Sequence, residues 1–129
     1  MNSGTEEKRA RLKVLLVDDE KGYAEVLAKR MALRDIHAVI ALSGTEAIRI
    51  LRAQQFDAAV LDLKLEDMDG IEILRVFKKM DPAMPVIMVT GHGSETAARQ
   101  GMEFGAYDYL MKPCNLNLLI EKIKQACEQ

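Results

Sequence analysis

Groups with distinct chemistry follow four short apolar runs of this chain, which occupy residues 14–17, 58–61, 86–89 and 109–111. The carboxylates of Asp18 and Asp19 follow the first run and that of Asp62 follows the second. The hydroxyl of Thr90 follows the third run and the ammonium of Lys112 follows the fourth. If the runs are strands of one parallel sheet, their carboxyl ends share an edge and these groups converge there. Such a set suits a divalent cation and a phosphoryl group.

The adjacent carboxylates of Asp18 and Asp19 favour a magnesium site. Neighbouring carboxylates repel each other, and burying both is costly unless a cation compensates them. An ordinary strand-end turn also accommodates aspartates, but Asp62 at another strand end makes Mg²⁺ the better interpretation. Because successive strand residues point to opposite faces, both side chains can bind the ion only if the chain turns at Asp18.

Asp62 is also a candidate nucleophile for phosphoryl transfer. A carboxylate at this position can act as a metal ligand, a helix cap or a nucleophile, and attack on phosphorus gives an aspartyl phosphate. Thr90 could then hydrogen-bond one phosphoryl oxygen, and Lys112 could pair with another as a point charge. Taken singly, Thr90 is an ordinary β-branched strand residue and Lys112 a surface lysine. Pro113 fixes the turn after Lys112 and so the direction of the lysine, especially if the bond between them is cis.

Five predicted strands alternate with five predicted helices, and together they would position these groups. An apolar stripe through Tyr23, Val26, Leu27 and Met31 predicts the first helix over 23–33. The further strands are expected at 37–42, around 58–62, 86–90 and 107–111, and the further helices at 43–54, 71–80, from Ser94 to about 105, and after Asn115. Ser43 and Glu46 match a capping box, in which Ser43 accepts from the Glu46 amide and Glu46 reaches back. Alternation with short connections predicts an α/β fold of three layers, with a doubly wound five-stranded parallel sheet between helices.

The composition predicts one ordinary domain. The 129 residues are 49% hydrophobic and 29% charged, and the formal net charge is −2. No basic surplus indicates nucleic acid, and no apolar run approaches the roughly 20 residues of a membrane span. Residues 1–11 are expected to form a flexible arm before a domain over 12–129. Cys114 and Cys127 match no metal or disulfide pattern, so free thiols in a cytoplasmic protein are expected.

In this order the motifs resemble those of the receiver domain of two-component response regulators. The matching residues are Asp18-Asp19, Asp62, Met68-Asp69-Gly70, Thr90-Gly91 and Lys112-Pro113. The resemblance covers about residues 13–127, nearly the whole chain. It implies a flavodoxin-like fold with strand order 2-1-3-4-5.

The resemblance assigns a role to each matching residue. Asp62 would be the phosphoacceptor, and Asp18, Asp19, Asp62 and the backbone carbonyl of Lys64 would hold Mg²⁺. Thr90 and Lys112 would contact the phosphoryl group. Tyr109 would be the aromatic switch residue, whose ring turns inward when Thr90 moves.

The resemblance further implies a bacterial signalling switch rather than an enzyme, one that promotes only its own phosphorylation and dephosphorylation. The donor would be a sensor histidine kinase or a phosphotransfer protein, as in a phosphorelay. The output would be a downstream protein target or a fused output domain, reached through the face of the fourth helix, fifth strand and fifth helix. Homodimerisation through that face is also expected. The chain is expected to be either a single-domain regulator or a receiver excised from a longer one.

Three loop positions refine these expectations. Receivers often carry proline four residues after the phosphoacceptor, and here that residue is Glu66, so the loop is expected to be more flexible and more acidic. Lys64 and His92 occupy the variable positions that set the phosphoryl lifetime. Neither side chain is suited to orienting water, so slow self-hydrolysis is expected.

Three alternatives remain at this point. A phosphatase of the haloacid-dehalogenase type would need a second aspartate two residues after its nucleophile, whereas Asp18 is followed by Asp19 and Glu20. A flavodoxin-like cofactor module would need a phosphate-binding loop after the first strand, and three acidic residues stand there instead. A receiver-like domain that only binds would lack some of the key residues, all of which are present.

Overall fold

The computed structural model describes residues 11–91 and 95–128, and its centre is a sheet of five parallel strands. The strands are β1 (Leu12–Val17), β2 (Ile36–Ala41), β3 (Ala58–Asp62), β4 (Val86–Thr90) and β5 (Asp108–Met111). Their order across the sheet is β2-β1-β3-β4-β5, which confirms the predicted order and the flavodoxin-like class. The predicted arm falls almost wholly outside the described residues, as do Ser94 and His92.

Five helices connect the strands: α1 (Lys21–Ala32), α2 (Gly44–Ala53), α3 (Gly70–Met80), α4 (Glu95–Glu103) and α5 (Leu116–Cys127). Polar side chains fix where three of them begin. Ser43 Oγ accepts from the Glu46 amide at 3.1 Å, Asp69 Oδ1 accepts from the Ile71 amide at 2.9 Å, and Asn115 Oδ1 accepts from the Leu118 amide at 3.1 Å. Glu46 reaches one residue further back than a capping box requires, because its Oε1 accepts from the Leu42 amide at 2.8 Å.

The strands divide the core into two halves because successive side chains alternate between the two faces of the sheet. Leu15, Val17, Ala59 and Leu61 pack on the side covered by α2 and α3, and Val14, Leu16, Ala58 and Val60 pack on the side covered by α1 and α5. Burial on both faces explains the unbroken apolar runs at 14–17, 58–61 and 86–89, which lie in the three inner strands β1, β3 and β4. Among the helices described, none is long and apolar enough to span a lipid bilayer.

Helix α1 begins two residues earlier than its apolar stripe predicted. Ala24, Leu27 and Met31 form its buried face, whereas Val26 is 52% exposed. The predicted stripe was therefore too wide on one side. Ala24 is fully buried, so the helix faces the core along a line that hydrophobicity alone did not identify.

Candidate functional site

The ammonium of Lys112 lies among three carboxylates from distant parts of the chain. Lys112 Nζ donates to Asp18 Oδ2, Glu20 Oε1 and Asp62 Oδ2, each at 3.0 Å. The side chains of Asp18 and Asp62 are only 4% and 6% exposed, whereas that of Glu20 is 66% exposed. The structure therefore brings three of the predicted groups, those of Asp18, Asp62 and Lys112, together at the carboxyl edge of the sheet, called the rim below. It adds the carboxylate of Glu20, which the sequence motifs had not identified.

Strand alternation explains which groups meet. Asp18 continues the alternation of Val14 and Leu16, and Asp62 continues that of Ala58 and Val60, so both fall on the side of α1 and α5. Asp19 lies in a bend beyond the end of β1 and does not belong to the carboxylate group, whose members are Asp18, Glu20 and Asp62. The sequence carries no signal that separates Glu20 from Asp19, because strand alternation does not extend through that bend.

The charges in this group are unbalanced. Three carboxylates face one ammonium, so two negative charges remain uncompensated. Burial raises the pKa of Asp18, although the Glu20 amide and Lys112 both oppose this shift. Burial alone would lower the pKa of Lys112, but its hydrogen bonds to the three carboxylates outweigh that effect and raise the pKa. Lys112 is therefore a permanent cation within a site that favours further positive charge.

The donor set fits a hard divalent cation. One oxygen from each of Asp18, Glu20 and Asp62 lies within 4.8 Å of the others. Carboxylate oxygens are the ligands that Mg²⁺ prefers, and Mg²⁺ retains several waters rather than requiring a complete protein cage. An open rim with a few convergent carboxylates is consistent with that preference.

The loop that follows Asp62 at the end of β3 is held at several points. The Lys64 amide donates to Asp62 Oδ1 at 3.0 Å, and Lys64 forms an isolated bridge with Asp69. Asp67 accepts from the Gly44 and Thr45 amides, each at 2.9 Å. The two amide bonds, together with the Thr45 hydroxyl, lower the pKa of Asp67. This loop is therefore tied to the start of α2, an anchor that the sequence motifs did not reveal.

Thr90 and Tyr109 lie on the opposite side of the sheet edge from the carboxylates. Thr90 is fully buried, and its Oγ1 donates to Met111 Sδ at 3.3 Å. Tyr109 is half-buried and packs against the part of the core beneath α2 and α3. The link from Thr90 to Lys112 is through the backbone, because the Lys112 amide donates to the Thr90 carbonyl at 2.7 Å. The peptide bond between Lys112 and Pro113 is cis.

Tyr23 is a second residue near the site that the sequence motifs missed, because its place in an apolar stripe marked it only as core. Lys112 Nζ lies 4.8 Å from the centroid of the Tyr23 ring, within range of a cation–π interaction. The Tyr23 hydroxyl lies 3.5 Å from Cys114 Sγ. Burial and the Cys114 contact together raise the pKa of Tyr23. The neutral ring thus forms one wall of the space that holds Lys112.

Comparison with known proteins identifies the protein family in which this arrangement of residues occurs. The family model of the response regulator receiver domain matches residues 14–124. The chain is 37% identical over 121 residues to an NtrX-like response regulator of Rickettsia felis, an alignment that covers 92% of this chain and 26% of that protein. It is 35% identical over 116 residues to the transcriptional regulatory protein GlrR of Escherichia coli, covering 90% of this chain and 26% of that protein.

Among solved structures, a response regulator receiver domain protein from Clostridium thermocellum aligns with a TM-score of 0.87 and 33% identity. The alignment covers 91% of this chain and 94% of that chain. The chain therefore belongs to the response regulator receiver domain family, whose members are signalling switches of two-component systems. It spans about a quarter of the length of the curated relatives that it matches.

Proposed function

We propose that Asp62 of this chain accepts a phosphoryl group from a phosphohistidine on a sensor histidine kinase or a phosphotransfer protein. The observation that carries this proposal is the position of the Asp62 carboxylate, which is buried at the end of β3 and lies 3.0 Å from the Lys112 ammonium. A carboxylate in this position faces the rim, and the neighbouring Lys112 ammonium can offset the negative charge of an incoming phosphoryl group.

In the proposed step an Asp62 oxygen forms a bond to phosphorus while the bond from phosphorus to the donor nitrogen breaks. The electron pair of the broken bond remains on the donor imidazole. Asp18, Asp19, Asp62 and the backbone carbonyl of Lys64 would hold Mg²⁺, which offsets charge on the attacking and transferring oxygens when it is bound. Lys112 would pair with one phosphoryl oxygen, and the Lys64 amide would keep Asp62 oriented.

The response would pass through Thr90 and Tyr109. A phosphoryl group on Asp62 offers charged oxygens, which are better acceptors for the Thr90 hydroxyl than the Met111 sulfur that it contacts here. Movement of Thr90 would open space toward Tyr109, which shares its face of the sheet. The outcome is a population shift that alters the surface of α4, β5 and α5.

That surface would carry the signal to a downstream protein, to a fused output domain or to a second copy of the chain. The receiver would occupy residues 12–129. The location that we propose is the cytoplasm, because Cys114 and Cys127 are both free thiols. We propose no catalytic turnover beyond formation and hydrolysis of the chain's own aspartyl phosphate, and p-nitrophenyl phosphate should therefore not be hydrolysed catalytically.

The test is intact-mass spectrometry after incubation with acetyl phosphate and MgCl₂. Wild type should gain one phosphoryl adduct and Asp62→Asn should gain none. Asp57→Asn is the matched control, because Asp57 is an exposed aspartate just before the opposite end of the same strand. An adduct that persists in Asp62→Asn, or that disappears in Asp57→Asn with the fold intact, would contradict the assignment.

A further inference from the structure

Glu20 is the one member of the carboxylate group that the receiver motifs do not assign. It stands at the N-cap position of α1, yet its side chain makes no capping bond to that helix. Instead its Oε1 accepts from Lys112 Nζ at 3.0 Å, the distance at which both buried aspartates also accept. An exposed glutamate side chain that reaches a shared ammonium rather than solvent is held there by electrostatic attraction.

The backbone holds Glu20 in reach of the site. The Glu20 amide donates to Asp18 Oδ1 at 2.9 Å, so the backbone of Glu20 is anchored to a buried carboxylate. The Glu20 and Asp62 oxygens belong to one group within 4.8 Å of each other. Asp19, the second residue of the acidic pair, lies outside this group. Glu20 therefore completes a triangle of oxygens that can converge on one ion.

We propose that Glu20 is a further ligand of the divalent cation, bound directly or through one water, and that it raises the affinity of the site for that cation. The proposal rests on the proposed function, because it concerns the same cation. Lys112 already shows that one positive group can be shared by all three carboxylates at equal distance. The two uncompensated negative charges of the group match the charge of a divalent ion, and one of them depends on Glu20.

The competing role for Glu20 is that of a tether, which does no more than hold Lys112 over Asp62. The two roles predict opposite effects of removing the charge. If Glu20 is a ligand, Glu20→Gln weakens cation binding by roughly three- to tenfold, the scale expected for one largely solvated charge near a divalent ion. If Glu20 is only a tether, Glu20→Gln releases Lys112 from one partner, and cation binding stays equal or becomes tighter.

The experiment is isothermal titration calorimetry with MgCl₂ at low ionic strength on wild type, Glu20→Gln and Glu25→Gln. Glu25 is the matched control, because it is an exposed glutamate of α1 that lies outside the carboxylate group, so its replacement changes net charge equally. Far-ultraviolet circular dichroism establishes that all three proteins are folded. The inference expects weaker binding in Glu20→Gln and binding within twofold of wild type in Glu25→Gln.

Equal or tighter Mg²⁺ binding by Glu20→Gln overturns the inference, as does an equal loss in Glu25→Gln. The phosphorylation assay separates this failure from failure of the proposed function. If wild type forms the Asp62 adduct while Glu20→Gln binds Mg²⁺ as tightly as wild type, only the role of Glu20 is wrong. If wild type neither binds Mg²⁺ nor forms the adduct, both proposals fail.

Discussion

Gly70 and Gly44 offer a direct test of how tightly the loop beside Asp62 is packed. Each is buried and each is the first residue of a helix, α3 and α2 respectively. A Cβ atom at Gly70 would lie 2.5 Å from Leu63 Cα and 2.6 Å from the Leu63 carbonyl oxygen. A Cβ atom at Gly44 would meet the ends of two side chains instead, Ile73 Cδ1 at 2.6 Å and Met68 Sδ at 3.0 Å. The same substitution is therefore opposed by backbone atoms at one site and by the ends of two side chains, which can shift further than backbone, at the other.

The expected energies follow from that difference. Forcing a methyl group into a packed interior costs about 1–3 kcal/mol, and a backbone obstacle puts Gly70→Ala at the upper end. Replacing glycine by alanine in a helix returns up to about 1 kcal/mol, less at a first position. We expect Gly70→Ala to lose about 2 kcal/mol of unfolding free energy, or roughly 6–10 °C in Tm for a domain of this size. Rotation of the two side chains should keep Gly44→Ala within about 1 kcal/mol of wild type.

Urea unfolding followed by circular dichroism measures both variants. Gly22→Ala calibrates the scale, because no atom lies within 4 Å of the new methyl group in α1, and it should gain up to about 1 kcal/mol. Since Leu63 directly follows Asp62, Gly70→Ala should also slow phosphorylation by acetyl phosphate, while Gly44→Ala should not. The reasoning is refuted if Gly70→Ala is as stable as Gly44→Ala and is phosphorylated at the wild-type rate.

Three further outcomes are expected. Asp67→Asn should be less stable than wild type at pH 7 in urea titrations. Because folding lowers the pKa of Asp67, this difference in stability should shrink as pH falls below about 4, where the carboxylate of the unfolded chain becomes protonated. At ten times its Kd, Mg²⁺ should stabilise wild type by about 1.4 kcal/mol in thermal melts and should stabilise Asp62→Asn less. Burial and the nearby Asp57 raise the pKa of Cys127 to about 11, so at pH 8 roughly one Cys127 thiol in a thousand is ionised. In the Cys114→Ser variant, a disulfide reagent should therefore label Cys127 slowly until urea unfolds the chain.

Much of the fold is readable in the sequence because its signals are local. Unbroken apolar runs identified the buried parallel strands, and Ser43 and Asn115 marked two helix starts that the structure confirms. The meeting of Asp18 and Lys112 is expected because both follow apolar runs, and parallel strands share one carboxyl edge.

The remaining features depend on backbone geometry that residue types do not encode. Whether Asp19 or Glu20 turns toward the rim depends on the path of the chain between β1 and α1, and the role of Asp19 as a metal ligand stays a prediction. The anchoring of Asp67 to α2 joins residues more than twenty positions apart, from the loop after β3 to the first residues of a helix. No periodicity within either segment reports such a contact.

One weak hydrogen bond near the site, from Thr90 to Met111, has the clearest bearing on switching. The Thr90 hydroxyl is buried, and its acceptor is the thioether of Met111 at 3.3 Å. Sulfur of this kind is a poor acceptor, so transferring the hydroxyl to a charged phosphoryl oxygen exchanges a weak bond for a strong one. Lys112, in contrast, already has three charged partners and gains less from a fourth. The free energy that drives the change in shape should therefore come mainly from Thr90, while Lys112 holds the charge balance in both states.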